Sequence, residues 1–337
     1  MGIHLEPADE YMHDPGADTT FNESMYFNLY DPAAQLGAFF RVGNRPNEGT
    51  GEVTVCCYLP DGRVAFMFKR PEVESNEGFD AGGLRFEVVE PFESLSVAYD
   101  GRLVVLDDPL EMAHPGRAFT ENPLVKASVR LDYTRVSPMF GGENTEAEER
   151  PGEEFAKGHY EQLVAASGSI RIGDEVHHVG GYGLRDHSWG PRTWQAPWYY
   201  RWLTGNAGPG FGFMGSRIAR REGEGLRGGF VFEDGEMYLC DRFEIATTWT
   251  TGTAVPYHEG ISARISSSFH DREWEVSGRV LRLIPLRNRR ETADGSLLVT
   301  RISEGLTEWT LGNGRIGYGL SEYLDQIVDD LPVGLAE

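Results

Sequence analysis

Along this chain, segments in which apolar and polar residues alternate, or which run apolar without a break, are separated by pairs of turn-forming residues. Val53-Thr54-Val55-Cys56-Cys57-Tyr58-Leu59 is followed by Asp61-Gly62 and then Arg63-Val64-Ala65-Phe66-Met67-Phe68. Both flanks suit a pleated, half-buried surface, and the Asp-Gly pair suits a two-residue turn, so a hairpin is predicted. The same reasoning predicts hairpins at Asp100-Gly101, between Leu95–Tyr99 and Leu103–Leu106, and at Gly173-Asp174, between Leu163–Ile172 and Val176–Tyr182. Asp234-Gly235, Asp294-Gly295 and Asn313-Gly314 supply further turns. Antiparallel meanders follow.

Few windows carry the three-and-four residue spacing of an amphipathic helix without an internal glycine or proline. Ser321 to Val328 is the exception, a short C-terminal helix opened by Ser321, although the Gly-Tyr-Gly before it also suits a strand. Between Gly141 and Gly158, Glu143, Glu146, Glu148, Glu149, Glu153 and Glu154 crowd around Pro151, the composition of a solvated loop. Strands resume after it and run to about Gly190, and a second strand-rich stretch spans Trp198 to Tyr323. The expected fold is therefore all-β, with two antiparallel units over residues 1–190 and 191–337 and the segment around Arg185–Arg192 at their junction. Closed barrels are the usual way for such meanders to remove their edges, and one of about eight strands can hold a small ligand.

Composition supports this reading and narrows the partners. The 42 glycines and 18 prolines in 337 residues interrupt long helices, and 40% hydrophobic residues supply a core. With 53 acidic against 31 basic side chains the net charge is −22, which repels nucleic acid and anionic membranes. A small hydrophobic molecule is the expected partner, and a homodimer is compatible with the sequence. No apolar run is long enough for a membrane span, and the start Met1-Gly2-Ile3-His4 lacks the pattern of a secretory signal, so a cytoplasmic location is expected. Cys56, Cys57 and Cys240 form neither a disulfide framework nor a zinc knuckle and read as reduced thiols. Gly210-Phe211-Gly212-Phe213-Met214-Gly215 matches a dinucleotide fingerprint in letters, but Arg220, Arg221 and Gly223 follow too soon for a crossover helix. Neither a metal nor an organic cofactor is expected, since no metal-ligand cluster and no phosphate cradle are visible.

One stretch concentrates reactive groups: Arg185-Asp186-His187-Ser188-Trp189-Gly190-Pro191-Arg192. In a strand Asp186 would point with Leu184 and Ser188, while Arg185, His187 and Trp189 face the other way. Such crowding marks either a structural ion-pair corner or a site. Ser188 lacks the first glycine of a nucleophile elbow, because Asp186 stands there.

The run at 185–192, together with His159-Tyr160-Glu161-Gln162, Gly317-Tyr318-Gly319-Leu320-Ser321-Glu322-Tyr323 and Asn22-Glu23-Ser24-Met25-Tyr26-Phe27, resembles the family of carotenoid 1,2-hydratase (hydroxyneurosporene synthase) and AttH-like proteins. The resemblance spans most of the chain. It implies a pair of lipocalin-like β-barrels packed on one another, and chemistry that adds water to carbon–carbon double bonds with acid assistance or, in related two-barrel proteins, closes rings. It does not name a substrate.

Protonating an alkene needs a neutral carboxylic acid or an imidazolium in a water-poor pocket. Asp186 and Glu161 are the candidate carboxyls, and His159 and His187 the candidate relays. Trp189, Trp194, Trp198, Tyr199, Tyr200 and Trp202 could wall the pocket and stabilise positive charge, with Tyr160 and Gln162 beside the substrate; core packing accounts for aromatics equally well. The leading expectation is a cofactor-independent lyase or isomerase of hydratase, dehydratase or cyclase type acting by acid–base catalysis on an isoprenoid or polycyclic substrate. A non-catalytic carrier of a hydrophobic ligand is the alternative, and an interaction module the third. Exposed, ion-paired carboxylates at Asp186 and Glu161 would favour the carrier.

Overall fold

The computed structural model describes residues 3–144, 156–253, 255–292 and 294–336. Most of the acidic segment, from Glu146 to Glu154, lies outside the described residues; Glu143 sits in a strand. The chain divides into two compact units, residues 1–108 with 116–193 and residues 109–115 with 194–337.

The first unit contains β1 (Ile3–His4), β2 (Phe21–Asp31), β3 (Leu36–Arg45), β4 (Thr50–Tyr58), β5 (Val64–Lys69), β6 (Asp80–Ala81), β7 (Leu84–Glu90), β8 (Ser94–Leu106), α1 (Pro115–Glu121), β9 (Leu124–Arg135), β10 (Phe140–Asn144), β11 (Gly158–Ile172) and β12 (Glu175–Pro191). Every ladder is antiparallel. β12 pairs β2, the chain then meanders through β3, β4 and β5 to β8, and β9 joins β8 to β11, which returns to β12. That ring of strands β2, β3, β4, β5, β8, β9, β11 and β12 closes on itself. Its interior is filled by side chains, among them Met25, Phe27, Leu36, Phe40, Val55, Leu84, Leu103, Val129, Tyr133 and Val164. An eight-stranded barrel is just wide enough for such filling.

The second unit contains β13 (Tyr199–Asn206), β14 (Phe211–Ala219), β15 (Leu226–Glu233), β16 (Glu236–Cys240), β17 (Arg242–Trp249), β18 (His258–Ser267), β19 (Arg272–Glu291), β20 (Leu297–Leu311), β21 (Ile316–Val328) and β22 (Leu331–Pro332). They form one antiparallel sheet in the order β16-β15-β14-β13-β21-β20-β19-β18-β17, with β22 on β21. Leu203, Phe213, Val231, Phe243, Ile261, Ile265, Val276, Trp309 and Tyr323 form its buried core. All-β architecture in two antiparallel sheets is thus what the alternating pattern predicted, and no helix of the described residues is long and apolar enough to cross a membrane. The three cysteines are buried and none forms a disulfide. The dinucleotide-like glycines fall at the start of β14, with no helix behind them.

Two local expectations fail. Asp100-Gly101 is no turn: β8 runs straight through it, because β9 pairs with β8 over the whole stretch from Ser94↔Thr134 to Val104↔Leu124. The pair marks instead where β8 leaves β7 for β5, and Gly101 lets the Tyr99 ring lie across it and bond to the Arg102 carbonyl. Ser321 to Val328 is not a helix but the core of β21, held between β13 and β20. Tertiary pairing overrides the weak local preference. Asp325, which would sit on a helix surface, is buried against the Arg201 guanidinium at 3.1 and 3.2 Å.

His258 gives this unit a pH signature. It stacks on Tyr323 at 3.9 Å, with Nε2 2.9 Å from the Ser321 hydroxyl. Burial, aided by Arg201, pushes its pKa down to about 3. Between the ordinary value of 6.5 and about 3 the unfolded chain therefore binds a proton that the native state refuses, and stability falls as pH drops through that window. Between about pH 7 and 5, above the main carboxylate range, acid should cost the wild type more unfolding free energy than it costs His258→Gln, in which the other histidines contribute equally. Equal slopes would contradict this placement of His258.

Candidate functional site

The register of three adjacent strands sorts the reactive residues by face. Across β11 and β12, Gly158 pairs Trp189, His159 pairs Ser188, Tyr160 pairs His187, Glu161 pairs Asp186 and Gln162 pairs Arg185. On the other side of β12, Glu23 opposes Trp189 and Met25 opposes His187. Because side chains alternate, Arg185, His187, Trp189, Tyr160, Gln162 and Glu23 share the face of the core residues Met25 and Phe27. Asp186, Ser188, Glu161 and His159 share the opposite face. Gly158 is required at its position, since a Cβ there would come within 2.2 Å of the Trp189 ring.

The inward face is an ionic network that also captures the N-terminal segment. Arg185 binds both carboxylate oxygens of Glu10, Nη1 to Oε1 at 2.6 Å and Nη2 to Oε2 at 2.9 Å, and its Nε donates to Gln162 at 2.9 Å. Tyr160 donates its hydroxyl to Glu10 Oε1 at 2.7 Å, and the Phe92 amide donates to Oε2 at 2.7 Å. Gln162 in turn donates to the carbonyls of Phe92 and Ser137. Glu10 and Arg185 are both fully buried. Burial alone would raise the Glu10 pKa, but the Arg185 charge and the hydrogen bonds outweigh it and the net direction is down.

Beside this pair lies a second cluster. Glu23 Oε1 is 2.6 Å from His13 Nδ1 and 2.9 Å from His187 Nε2, while its Oε2 accepts from the His13 amide and from Asn76. Against the effect of burial, the two imidazoles hold the Glu23 pKa down at about 2. His13 stacks on Trp189 with ring centres 4.0 Å apart, and its own pKa is raised by Glu23 and Asp9 in spite of burial.

The outward face carries the other set. His159 Nε2 is 3.7 Å from Glu161 Oε1 and 3.8 Å from Asp186 Oδ2. Glu161 is buried, Asp186 is 21% exposed and His159 is 44% exposed. Burial and Arg192 work against the imidazolium, yet the two carboxylates prevail and raise the His159 pKa. Arg192 is turned to the neighbouring Ser188, donating to its hydroxyl at 3.1 Å.

Of the residues expected from sequence, Asp186, Glu161 and His159 are brought together. His187, Tyr160, Gln162 and Trp189 are not with them; they point through the sheet into the inner network. Trp194, Trp198, Tyr199 and Trp202 belong to the second unit. There Tyr199 lies under the Arg201 guanidinium at 4.8 Å, Trp198 under Arg221 at 4.4 Å, and the Trp194 carbonyl accepts from Gln326, while Trp202 is buried. Glu10, His13 and Glu23 were not anticipated at all. Asn22–Phe27 stood out by resemblance, but nothing in it pointed to a partner 164 residues away. The expectation that no metal-ligand set assembles also needs correction: His13, Glu23 and His187 form one such group, and His159, Glu161 and Asp186 another.

Residues 6–327 match a family described as a domain of unknown function, DUF7064. The chain belongs to the DUF7064 family. No curated protein matches it. Among solved structures, this DUF7064 chain is similar to a protein described as a putative AttH from Nitrosomonas europaea, with 14% identity and a TM-score of 0.58 over 96% of this chain and 97% of the other. It is also similar to kievitone hydratase from Nectria haematococca, with 11% identity and a TM-score of 0.57 over 95% and 92% of the two chains. CghA is a third, with 12% identity and a TM-score of 0.54 over 97% and 96%. These likenesses extend over both units of the DUF7064 chain and concern the fold.

Removing Glu10 should show what the inner network is worth. In Glu10→Ala the Arg185 charge stays buried without its partner, and a loss of about 3–5 kcal/mol in unfolding free energy is expected. Glu121→Ala, at the solvent-exposed ion pair with Arg117, serves as the control and should leave stability close to the wild type. Similar small losses in both would show that the buried pair is not structural.

Proposed function

We propose that this DUF7064 protein is a lyase of hydratase, dehydratase or cyclase type, acting on a hydrophobic isoprenoid or polycyclic alkene through acid–base catalysis at His159, Asp186 and Glu161. The single observation that carries the reading is the His159 imidazole set between two carboxylates, one of them buried, so that it keeps a proton to higher pH than a free histidine. The half-exposed ring can meet a ligand while its partners stay fixed in the sheet. Kievitone hydratase, similar in fold, bears the name of a hydration enzyme, which agrees with this reaction class.

In hydration the His159 imidazolium gives its proton to one alkene carbon. The carbocation left on the other carbon is attacked by water, and Asp186 or Glu161 takes the water's proton. Dehydration runs the same steps backwards. Cyclisation uses the same proton donor, with a second double bond as the nucleophile in place of water. These groups suffice for the proton inventory without a cofactor. The carrier reading draws on the exposure of Asp186, but the buried Glu161 at 1% exposure favours the enzyme.

The test uses polyene and polycyclic alkene substrates in labelled water, following incorporation of the label at the former double bond. Asp186→Asn and Glu161→Gln should each lower turnover by about 10²- to 10⁴-fold. The pH profile carries a second sign. Activity should fall as pH rises through the raised His159 pKa, and loss of either carboxylate should move that limb to lower pH. Turnover unchanged in both variants would remove the acid–base claim, and tight ligand binding without any turnover would establish the carrier.

A further inference from the structure

His187 and His13 converge on one buried carboxylate oxygen from two different segments of the chain. Tyr160 has one hydroxyl proton and two neighbours that could take it, Glu10 Oε1 at 2.7 Å and His187 Nδ1 at 3.2 Å. Glu10 is a carboxylate in a bidentate pair with Arg185, an acceptor only, and it is the nearer. The Tyr160 proton therefore goes to Glu10, and the phenolic oxygen can accept from His187 Nδ1–H as well as from Arg185 Nη1 at 3.4 Å. A neutral His187 then presents the bare lone pair of Nε2 to the Glu23 carboxylate at 2.9 Å, a repulsive contact in a fully buried place. His13 has the same difficulty, with Nδ1 at 2.6 Å from Glu23 Oε1 and Nε2 at 3.4 Å from Asp9 Oδ1. Both rings set each nitrogen against an oxygen atom, and both turn one nitrogen to the same Glu23 Oε1, the arrangement of an imidazole pair sharing one carboxylate oxygen.

We propose that this cluster holds a first-row divalent transition metal, bound by His13 Nδ1, His187 Nε2 and Glu23 Oε1. The three ligand atoms lie within 4.8 Å of one another, and two imidazoles with one carboxylate are a donor set typical of zinc and of non-haem iron. With the metal in place every proton is accounted for. Each histidine is neutral and hands its remaining N–H outwards, His187 to Tyr160 and His13 to Asp9, as ligating histidines almost always do. The other Glu23 oxygen is fixed by the Asn76 amide at 2.6 Å and the His13 backbone at 2.8 Å. His13, the one partly exposed ligand, provides the entry. Three protein ligands leave a coordination position open for water or a small donor. The site is on the barrel-interior face of β12, separate from the His159 group, and does not rest on the proposed reaction.

The experiment is calorimetric titration of the chelator-treated full chain with zinc, repeated with cobalt to read the visible d–d bands of a nitrogen and oxygen ligand set. One equivalent should bind, with proton release seen as a dependence of the heat on buffer ionisation. His13→Ala should abolish the tight equivalent. Tyr160→Phe, which keeps the ring but leaves His187 Nδ1 without its acceptor, should weaken binding about 10- to 100-fold. His159→Ala should leave the stoichiometry unchanged. Loss of the metal with His159→Ala and not with His13→Ala would assign it to the outer group and overturn the proposal. So would a wild-type chain that takes up no zinc and shows doubly protonated His13 and His187 rings by nitrogen-15 chemical shift at neutral pH.

Discussion

A guanidinium with no access to water organises the first unit. Taking Arg185 and Glu10 out of solvent costs several kcal/mol per ion, and their attraction offsets this only if every remaining donor and acceptor is also satisfied. The fold meets that condition from three separate segments: Glu10 from the N-terminal turn, Phe92 from the connection between β7 and β8, and Tyr160 and Gln162 from β11. None of these can shift by one register position without leaving a buried charge unpartnered. The N-terminal segment is held against the barrel by the same bonds, and with it His13, which caps Trp189 and reaches Glu23.

From this constraint follows the division of labour along β12. Alternate residues of one strand face two different environments, so five consecutive positions supply two independent sets of chemistry. Arg185, His187 and Trp189 are committed inwards, where hydrogen bonds and stacking fix their rotamers. Asp186 and Ser188 are directed outwards, where Asp186 meets Glu161 and His159 from the neighbouring strand. A rigid inner row gives the outer row its placement, since a site built on paired strands is positioned more sharply than one on a loop.

The sequence made the strands legible because their period of two is written locally, and the hairpins at Asp61-Gly62, Gly173-Asp174, Asp234-Gly235, Asp294-Gly295 and Asn313-Gly314 were legible because turn chemistry is local too. Asp100-Gly101 misled for the same reason: its role is set by β9, a partner about 30 residues away in the chain. The segregation of Asp186 from Arg185 and His187 was readable from alternation alone. The grouping of Asp186 with Glu161 and His159 followed once β11 and β12 formed a hairpin with its turn at Gly173-Asp174. What could not be read was the inner network, because Glu10, His13 and Glu23 reach Arg185 and His187 across 164 to 175 residues and sit in stretches with no unusual local composition. The aromatic wall was overdrawn. Trp194, Trp198, Tyr199 and Trp202 lie close in sequence to the motif, but they follow the end of β12 and enter the second unit.

The central claim is that neighbouring residues of β12 answer to opposite faces of the sheet, the inner ones to stability and the outer ones to the chemistry proposed for His159, Asp186 and Glu161. Urea unfolding of variants stepping from residue 185 to 189, Arg185→Met, Asp186→Asn, His187→Leu, Ser188→Ala and Trp189→Ala, tests it directly. The account predicts an alternation: losses of about 3–5 kcal/mol at Arg185 and Trp189 and a clear loss at His187, with about 1 kcal/mol or less at Asp186 and Ser188. A flat profile, or one whose largest loss falls at Asp186, would contradict it.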